Sequence, residues 1–361
     1  MPDPGASDYG YGKPTSYSKW LEQEGLPVIR GFYIADLKDV EVAPWKRKGG
    51  KGTYICLEGT GGTNDAYVVE IAPGGNLNPE KCLFEELVYV LSGRGATTIW
   101  NEGGKKQTFE WQAGSLFSPP LNAWRQHFNG QGDQTVRLLV VTSAPMIMDL
   151  FHNTDFIFSN PYVFKDRYAG EEGYFSADGK THPGRIWESN FIPDVPNFPL
   201  TLWKERGAGG RNVMFELANN TMAAHISEFP VGTYKKGHRH GPGAHVILIS
   251  GEGYSLVWKQ GEPKERVNWH AGTMFVPGDQ QFHQHFNVGG TPARYLALRW
   301  GSRKFLAGGP MEILRGIDQD IKSGGAQIEY ESEDPEVRQM FEAELAKRGV
   351  KSGMAEFFGG K

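Results

Sequence analysis

Residues 91–129 read LSGRGATTIWNEGGKKQTFEWQAGSLFSPPLNAWRQHFN, and residues 249–287 read ISGEGYSLVWKQGEPKERVNWHAGTMFVPGDQQFHQHFN. Laid one over the other, they agree at Ser92/Ser250, Gly93/Gly251, Gly95/Gly253, Trp100/Trp258, Trp111/Trp269, Gly114/Gly272, Phe117/Phe275 and Pro119/Pro277. Both end on Gln-His-Phe-Asn, at Gln126–Asn129 and Gln284–Asn287. The differences 251 − 93 and 287 − 129 both give 158, so one register holds across the whole stretch. That period is far too long for a solenoid repeat, and the chain is read as two copies of one domain. Upstream the register is expected to slip by one residue, with Pro73-Gly74-Gly75 set against Pro230-Val231-Gly232.

Each copy reads as short strands joined by tight turns. Leu87–Leu91 and Val246–Ile249 are unbroken apolar runs, as in strands covered on both faces. Arg137–Val141 and Arg294–Arg299 follow as closing strands. Glycine, 48 of 361 residues, is roughly twice its usual share of about 7%, and the glycines sit between the apolar runs. Helical patterning is scarce. Its clear case lies near the C-terminus, where Asp334 caps, Pro335 takes the first helical position and Gly349 stops the run. The expected organisation is all-β: an arm over residues 1–30, a first barrel over 31–145, an inter-domain stretch over 146–210, a second barrel over 211–305, and a tail with a short helix over 306–361.

The 38 basic and 42 acidic side chains nearly cancel, which gives no electrostatic reason to expect nucleic acid or an anionic membrane as partner. Cys56 and Cys82 are the only cysteines, too few for a disulfide framework and without zinc-site spacing. The first residues lack the basic patch and apolar core of a secretory signal, and no apolar run reaches about 18 residues. A cytoplasmic protein without a membrane span is the expectation.

Six of the ten histidines lie between positions 238 and 285. In Gly232-x5-His238-x-His240, residues two apart on an extended segment point the same way, so both rings can reach one ion. In Gly272-x10-His283-x3-Asn287, a later strand can deliver a third imidazole. Imidazole donors suit iron, zinc, copper, nickel or manganese, and three of them leave positions open for substrate or O₂.

These residues resemble the cupin superfamily, whose motifs read G-x5-HxH-x3,4-E-x6-G and G-x5-P-x-G-x2-H-x3-N. The resemblance covers residues 60–143 and 215–301 and implies two tandem double-stranded β-helix (jelly-roll) barrels. His238, His240 and His283 fall on the family's three histidine ligands. Pro277 stands one place early, although the spacing from Gly272 to His283 is the family's own. Counting back from Gly251, Ala244 takes the place of the family's glutamate, and His245, one residue beyond, is a candidate fourth ligand. The string HRHGPGA is similar to that of the bicupin ring-cleaving dioxygenases of gentisate and salicylate type, which lack the glutamate and hold Fe(II) through three histidines.

The first copy serves as a control. Lys81 and Leu83 are aligned with His238 and His240, Arg125 with His283, and Glu86 alone keeps a ligand type, so this barrel is read as structural and metal-free. His127 persists there opposite His285, which marks both as packing or hydrogen-bonding residues. The candidates for lining the pocket are Arg299, Gln281 and His225, set against Val141, Ala123 and Val68. Arg299 is suited either to pairing with a substrate carboxylate or to a salt bridge.

One divalent metal per chain is expected, Fe(II) first, with Mn, Ni or Zn as alternatives. The resemblance implies a mononuclear non-haem Fe(II) dioxygenase that cleaves C–C bonds of a small aromatic, phenolic or enolisable substrate, with O₂ as co-substrate. The alternatives are a non-redox lyase, isomerase or decarboxylase, and a binding or storage-like protein without catalysis. A homo-oligomer is expected from the arm and tail.

Overall fold

The computed structural model describes residues 13–241, 243–305 and 316–358, so the start of the expected arm and of the expected tail lies outside the described residues. Each copy is a sandwich of one large and one three-stranded sheet. The first large sheet runs Val28–Gly31, Gly50–Leu57, Asp65–Ile71, Val136–Thr142, Glu86–Ser92, Leu116–Phe117, Phe191–Ile192, and faces a sheet of Trp124–Asn129, Arg94–Trp100 and Gln107–Gln112. In the second, Ile186–Ser189, Arg211–Leu217, Met222–Phe229, Ala293–Trp300, His245–Ser250, Met274–Phe275 and Tyr33–Ile34 follow the same order. Opposite them lie Glu265–His270, Glu252–Trp258 and Phe282–Asn287.

The unbroken apolar runs reflect two different covers. Val88 and Val90 point into the first barrel, while Leu87 and Tyr89 join a second core shared with the other copy. Likewise Val246 and Leu248 point into the second barrel and Ile247 into the shared core. That core brings Val68, Leu139 and Val141 against Phe215, Ile226 and Leu298, so the two large sheets pack face to face and neither needs a polar side.

The boundaries expected from the sequence cut across the strand pairing. Val28–Gly31 runs parallel to Gly50–Leu57 in the first barrel, but Tyr33–Ile34, two residues on, pairs with Met274–Phe275 in the second. The reciprocal move occurs at Ile186–Ser189, parallel to Arg211–Leu217, followed by Phe191–Ile192 on Leu116–Phe117. Leu37 N–H donates to Gly272 O and Val195 N–H to Gly114 O, each at 2.9 Å. These pairs also sit 158 apart (186 − 28, 191 − 33), so the duplication begins inside the expected arm and inter-domain stretch. The arm itself contains a helix, Ser16–Glu24, capped by Thr15 and Gly25, whose Tyr17, Trp20 and Leu21 pack into the first core. The C-terminal helix Pro335–Arg348 forms as expected, with Asp334 and Gly349 at its ends. Its Val337, Phe341 and Leu345 recur at every fourth position and cover Tyr254 and Phe286 of the second barrel.

The expected register slip does not occur. Gly74 and Gly232 are equivalent, with left-handed φ of 64° and 65°, and the bridge Glu80–Arg125 corresponds to His238–His283. The counterparts of His238 and His240 are therefore Glu80 and Cys82, not Lys81 and Leu83, and Glu86 stands opposite Ala244. Inside the first barrel the Arg125 guanidinium lies 2.6 Å from Glu86 and 3.3 Å from both Glu80 and Cys82 Sγ. Lys48 pairs with Glu80, and the Tyr67 hydroxyl donates to Glu86 at 3.0 Å. Burial would raise the Glu80 carboxyl, but Lys48, Arg125 and Arg47 outweigh it and hold the group ionised. The protein's own cations thus neutralise this interior, as buried charges require.

Two outcomes follow. Residues 1–185 and 186–361, expressed separately, each lack an edge strand and bare the shared core, so neither half should give a cooperative thermal transition alone. Glu86→Gln leaves Arg125 short of a counter-charge in the core and should cost about 3 kcal/mol of unfolding free energy in urea.

Candidate metal centre

The segment carrying His238 and His240 enters the second barrel alongside Phe282–Asn287. His238 and His283 exchange both backbone hydrogen bonds, N–H to O at 3.1 and 2.8 Å, which sets their rings side by side with centroids 4.2 Å apart. The His240 ring lies 4.8 Å from that of His283. The other edge of this segment is covered by the tail: Arg239 N–H donates to Ala326 O at 2.9 Å and Ile328 N–H to Gly237 O at 2.7 Å.

One ring nitrogen from each histidine lies within 4.8 Å of the others, close to the span that a single ion with bonds of about 2.1 Å bridges. His238 Nδ1 is 3.1 Å from Lys236 O, and His283 Nδ1 is 3.2 Å from Gln281 O. A carbonyl oxygen only accepts, so each Nδ1 carries the proton and each Nε2 keeps its lone pair, an arrangement typical of metal-binding histidines. Burial holds all three rings neutral. His238 and His240 lie well below the usual histidine range, and His283 is pushed down to about 4. Neutral rings, two of them with their tautomer fixed, fit a divalent ion and leave coordination positions open.

His245 is not part of this cluster. Ala244 and Val246 face the second barrel's interior, so strand alternation turns His245 outward to the first barrel, where its Nδ1 meets Asn64 Nδ2 at 3.0 Å. Gln281 is also corrected: its Oε1 accepts from Gly278 N–H at 2.7 Å, so the side chain closes a turn, and only its carbonyl reaches the site. His285 sits in a hydrogen-bonded chain with Ser255 and Trp269 at 2.7 and 3.0 Å. The first barrel repeats it with His127, Thr97 and Trp111 at 2.7 and 2.8 Å.

Arg299 and His225 do meet the cluster. They line a cavity of about 40 Å³ together with His238, His240, Tyr295 and Arg206. Their counterparts differ from those expected, because the closing strand is one residue shorter in register: Arg137 faces Ser92 as Arg294 faces Ser250. Arg299 therefore matches Thr142, and His225 matches Tyr67. Arg299 is 8% exposed, its Nε has no hydrogen-bond partner, and it makes no ion pair among the described residues. Burial and the neighbouring Arg303 push its guanidinium down to about 10, against the pull of Glu216. Arg206, in contrast, is held by Gln327 and Asp318, both at 3.1 Å.

Arg206 and Tyr295 were not singled out from the sequence. Arg206 had a signal: Trp45-Lys-Arg-Lys48-Gly49 and Trp203-Lys-Glu-Arg206-Gly207 repeat at the same 158-residue offset. Lys48 reaches Glu80 in the first barrel from the position Arg206 holds in the second.

No protein-family model matches the chain, and no curated protein matches it by sequence. Among solved structures it is similar to the oxalate decarboxylase of Lactobacillus farciminis in complex with formate, at 16% identity and a TM-score of 0.50, covering 75% of this chain and 86% of that one. It is similar too to a point mutant of the Bacillus subtilis oxalate decarboxylase, at 16% identity and a TM-score of 0.51, covering 77% of this chain and 79% of that one. Among the described residues no helix is long and apolar enough to cross a membrane. The fold is that of two tandem cupin barrels.

Proposed function

We propose that this chain is a metal-dependent enzyme that breaks a C–C bond of a small carboxylate at a single centre held by His238, His240 and His283. The observation that carries this reading is Arg299, a buried guanidinium that makes no ion pair among the described residues, on the wall of the cavity beside His238 and His240. An uncompensated buried cation is expensive, and a carboxylate that binds it bidentately removes that cost. Arg206, which lines the same cavity and is fixed by Gln327 and Asp318, adds positive potential.

Size favours the non-redox alternative over ring cleavage. A cavity of about 40 Å³ is well below the roughly 150 Å³ that holds benzene, so a short acid fits the described pocket better than an aromatic ring. The fold neighbours are oxalate decarboxylases, one of them described with Mn(II) centres, which agrees with this reading although fold alone does not fix chemistry. A bound divalent ion would supply Lewis-acid polarisation of the substrate oxygens. Ring-cleaving Fe(II) chemistry remains the second reading, favoured by Ala244, which withholds a carboxylate from the centre.

Purified protein should contain about one metal per chain by mass spectrometry, and His238→Ala/His283→Ala should contain none. Manganese with CO₂ release from oxalate or a related short acid supports the first reading. Iron with O₂ uptake on gentisate or a catechol supports the second, and metal that persists in the double variant removes the site. Arg299→Ala should keep the metal and raise KM for the acid roughly 10- to 100-fold, as for the loss of a hydrogen bond to a charged group.

A further inference from the structure

Lys235 is 1% exposed. The hydrogen bond its Nζ makes is to Tyr295 Oη, at 3.1 Å, and the same ammonium lies 4.6 Å from the Tyr295 ring and 5.3 Å from that of Phe229. Tyr295 lines the cavity that holds His238, His240 and Arg299. The first barrel shows that the fold does not need this pair. Lys235 N–H bonds His285 O as Leu77 N–H bonds His127 O, so Leu77 is the counterpart of Lys235. In the closing strand Leu138 is the counterpart of Tyr295, and both leucines are buried. Two leucines pack those places where no histidine triad exists, and a desolvated ammonium with a phenol occupies them where one does.

We propose that Lys235 and Tyr295 form a proton-donating pair, with Tyr295 the acid that reaches the substrate and Lys235 the residue that positions it. This rests on the reading of the centre as a C–C lyase for small carboxylates. When the bond to the departing carboxylate breaks, CO₂ leaves and the electron pair stays on the remaining carbon. That carbon takes the proton from Tyr295 Oη, and the phenolate left beside the Lys235 ammonium recovers a proton from water. No electron acceptor is required. The other titratable lining groups suit the role less well: His225 is held neutral by burial and by Arg299, Lys235 and Arg206, and guanidinium groups are poor acids. Facing Tyr295 are the Ser227 hydroxyl, Lys235, Arg206, His225 and His285. Burial raises the phenol, but Lys235 and the Ser227 hydrogen bond outweigh it and bring it below the usual tyrosine value. Burial likewise lowers the lysine, against the pull of Tyr295.

The test is a near-ultraviolet tyrosinate titration of the full-length, metal-loaded protein, repeated on Tyr295→Phe, Lys235→Met and Lys235→Arg, with metal content and circular dichroism confirming the fold. One tyrosine per chain should ionise at lower pH than the rest. That step should vanish in Tyr295→Phe, move to higher pH in Lys235→Met and return in Lys235→Arg. Wild type and Tyr295→Phe titrating alike, or an early step that survives Lys235→Met, would overturn the pair. If Lys235→Met does not fold, the Lys235→Leu/Tyr295→Leu variant copies the first barrel and gives the baseline. With oxalate as the probe, Tyr295→Phe should lower kcat about 100-fold and leave KM within a few-fold; unchanged kcat overturns the role. Failure of the wild type to turn over oxalate counts against the decarboxylation reading, while the titration still decides the pair.

Discussion

The apolar layer between the two large sheets is the constraint from which the rest of the molecule follows. Because each large sheet is covered on both faces, alternate residues along its strands serve different cores, one inside a barrel and one between barrels. That alternation assigns Ala244 to the second barrel's interior and His245 to the boundary with the first. It also sends Arg299 and His225 inward, where they meet the histidine triad. A one-residue change of register would exchange these faces and take the site apart.

The two barrels solve one electrostatic problem in two ways. At four equivalent positions the first barrel has Glu80, Cys82, Glu86 and Arg125, and the second has His238, His240, Ala244 and His283. In the first, acidic donors close around the guanidinium of Arg125, with Lys48 as a further cation. In the second, three neutral imidazoles converge, and the buried cations Arg206 and Arg299 line the cavity beside them. The first arrangement is satisfied by side chains alone, whereas the second gathers three neutral donors that could hold an ion.

Much of this was legible in the chain because a duplicated sequence supplies its own alignment. Trp111/Trp269 and Gln126–Asn129/Gln284–Asn287 repeat because each pair serves the same hydrogen-bonded scaffold, and the triad stood out as its exception. What escaped had physical reasons. The strands at Tyr33 and Phe191 are two residues long and pair with the opposite barrel, so no local pattern marks them. The supposed slip came from matching the prolines before Gly74 and Gly232, although the left-handed glycine is what the turn requires. No local sequence pattern marks Tyr295 or Lys235, and only the packed interior brings the lysine onto the tyrosine at the cavity wall.

The reciprocal loan of edge strands bears on how such a chain is made. Synthesis proceeds from the N-terminus, yet the first large sheet lacks its last strand until residues 191–192 are available. Residues 33–34, made early, have no partner until Met274–Phe275 emerge. On the ribosome the N-terminal half therefore waits with an unfinished sheet and an apolar face uncovered, a state prone to pairing with neighbours. Folding is closed by contacts some 240 residues apart (274 − 34), which places this protein among slow folders of high contact order and gives chaperones a defined interval in which to act.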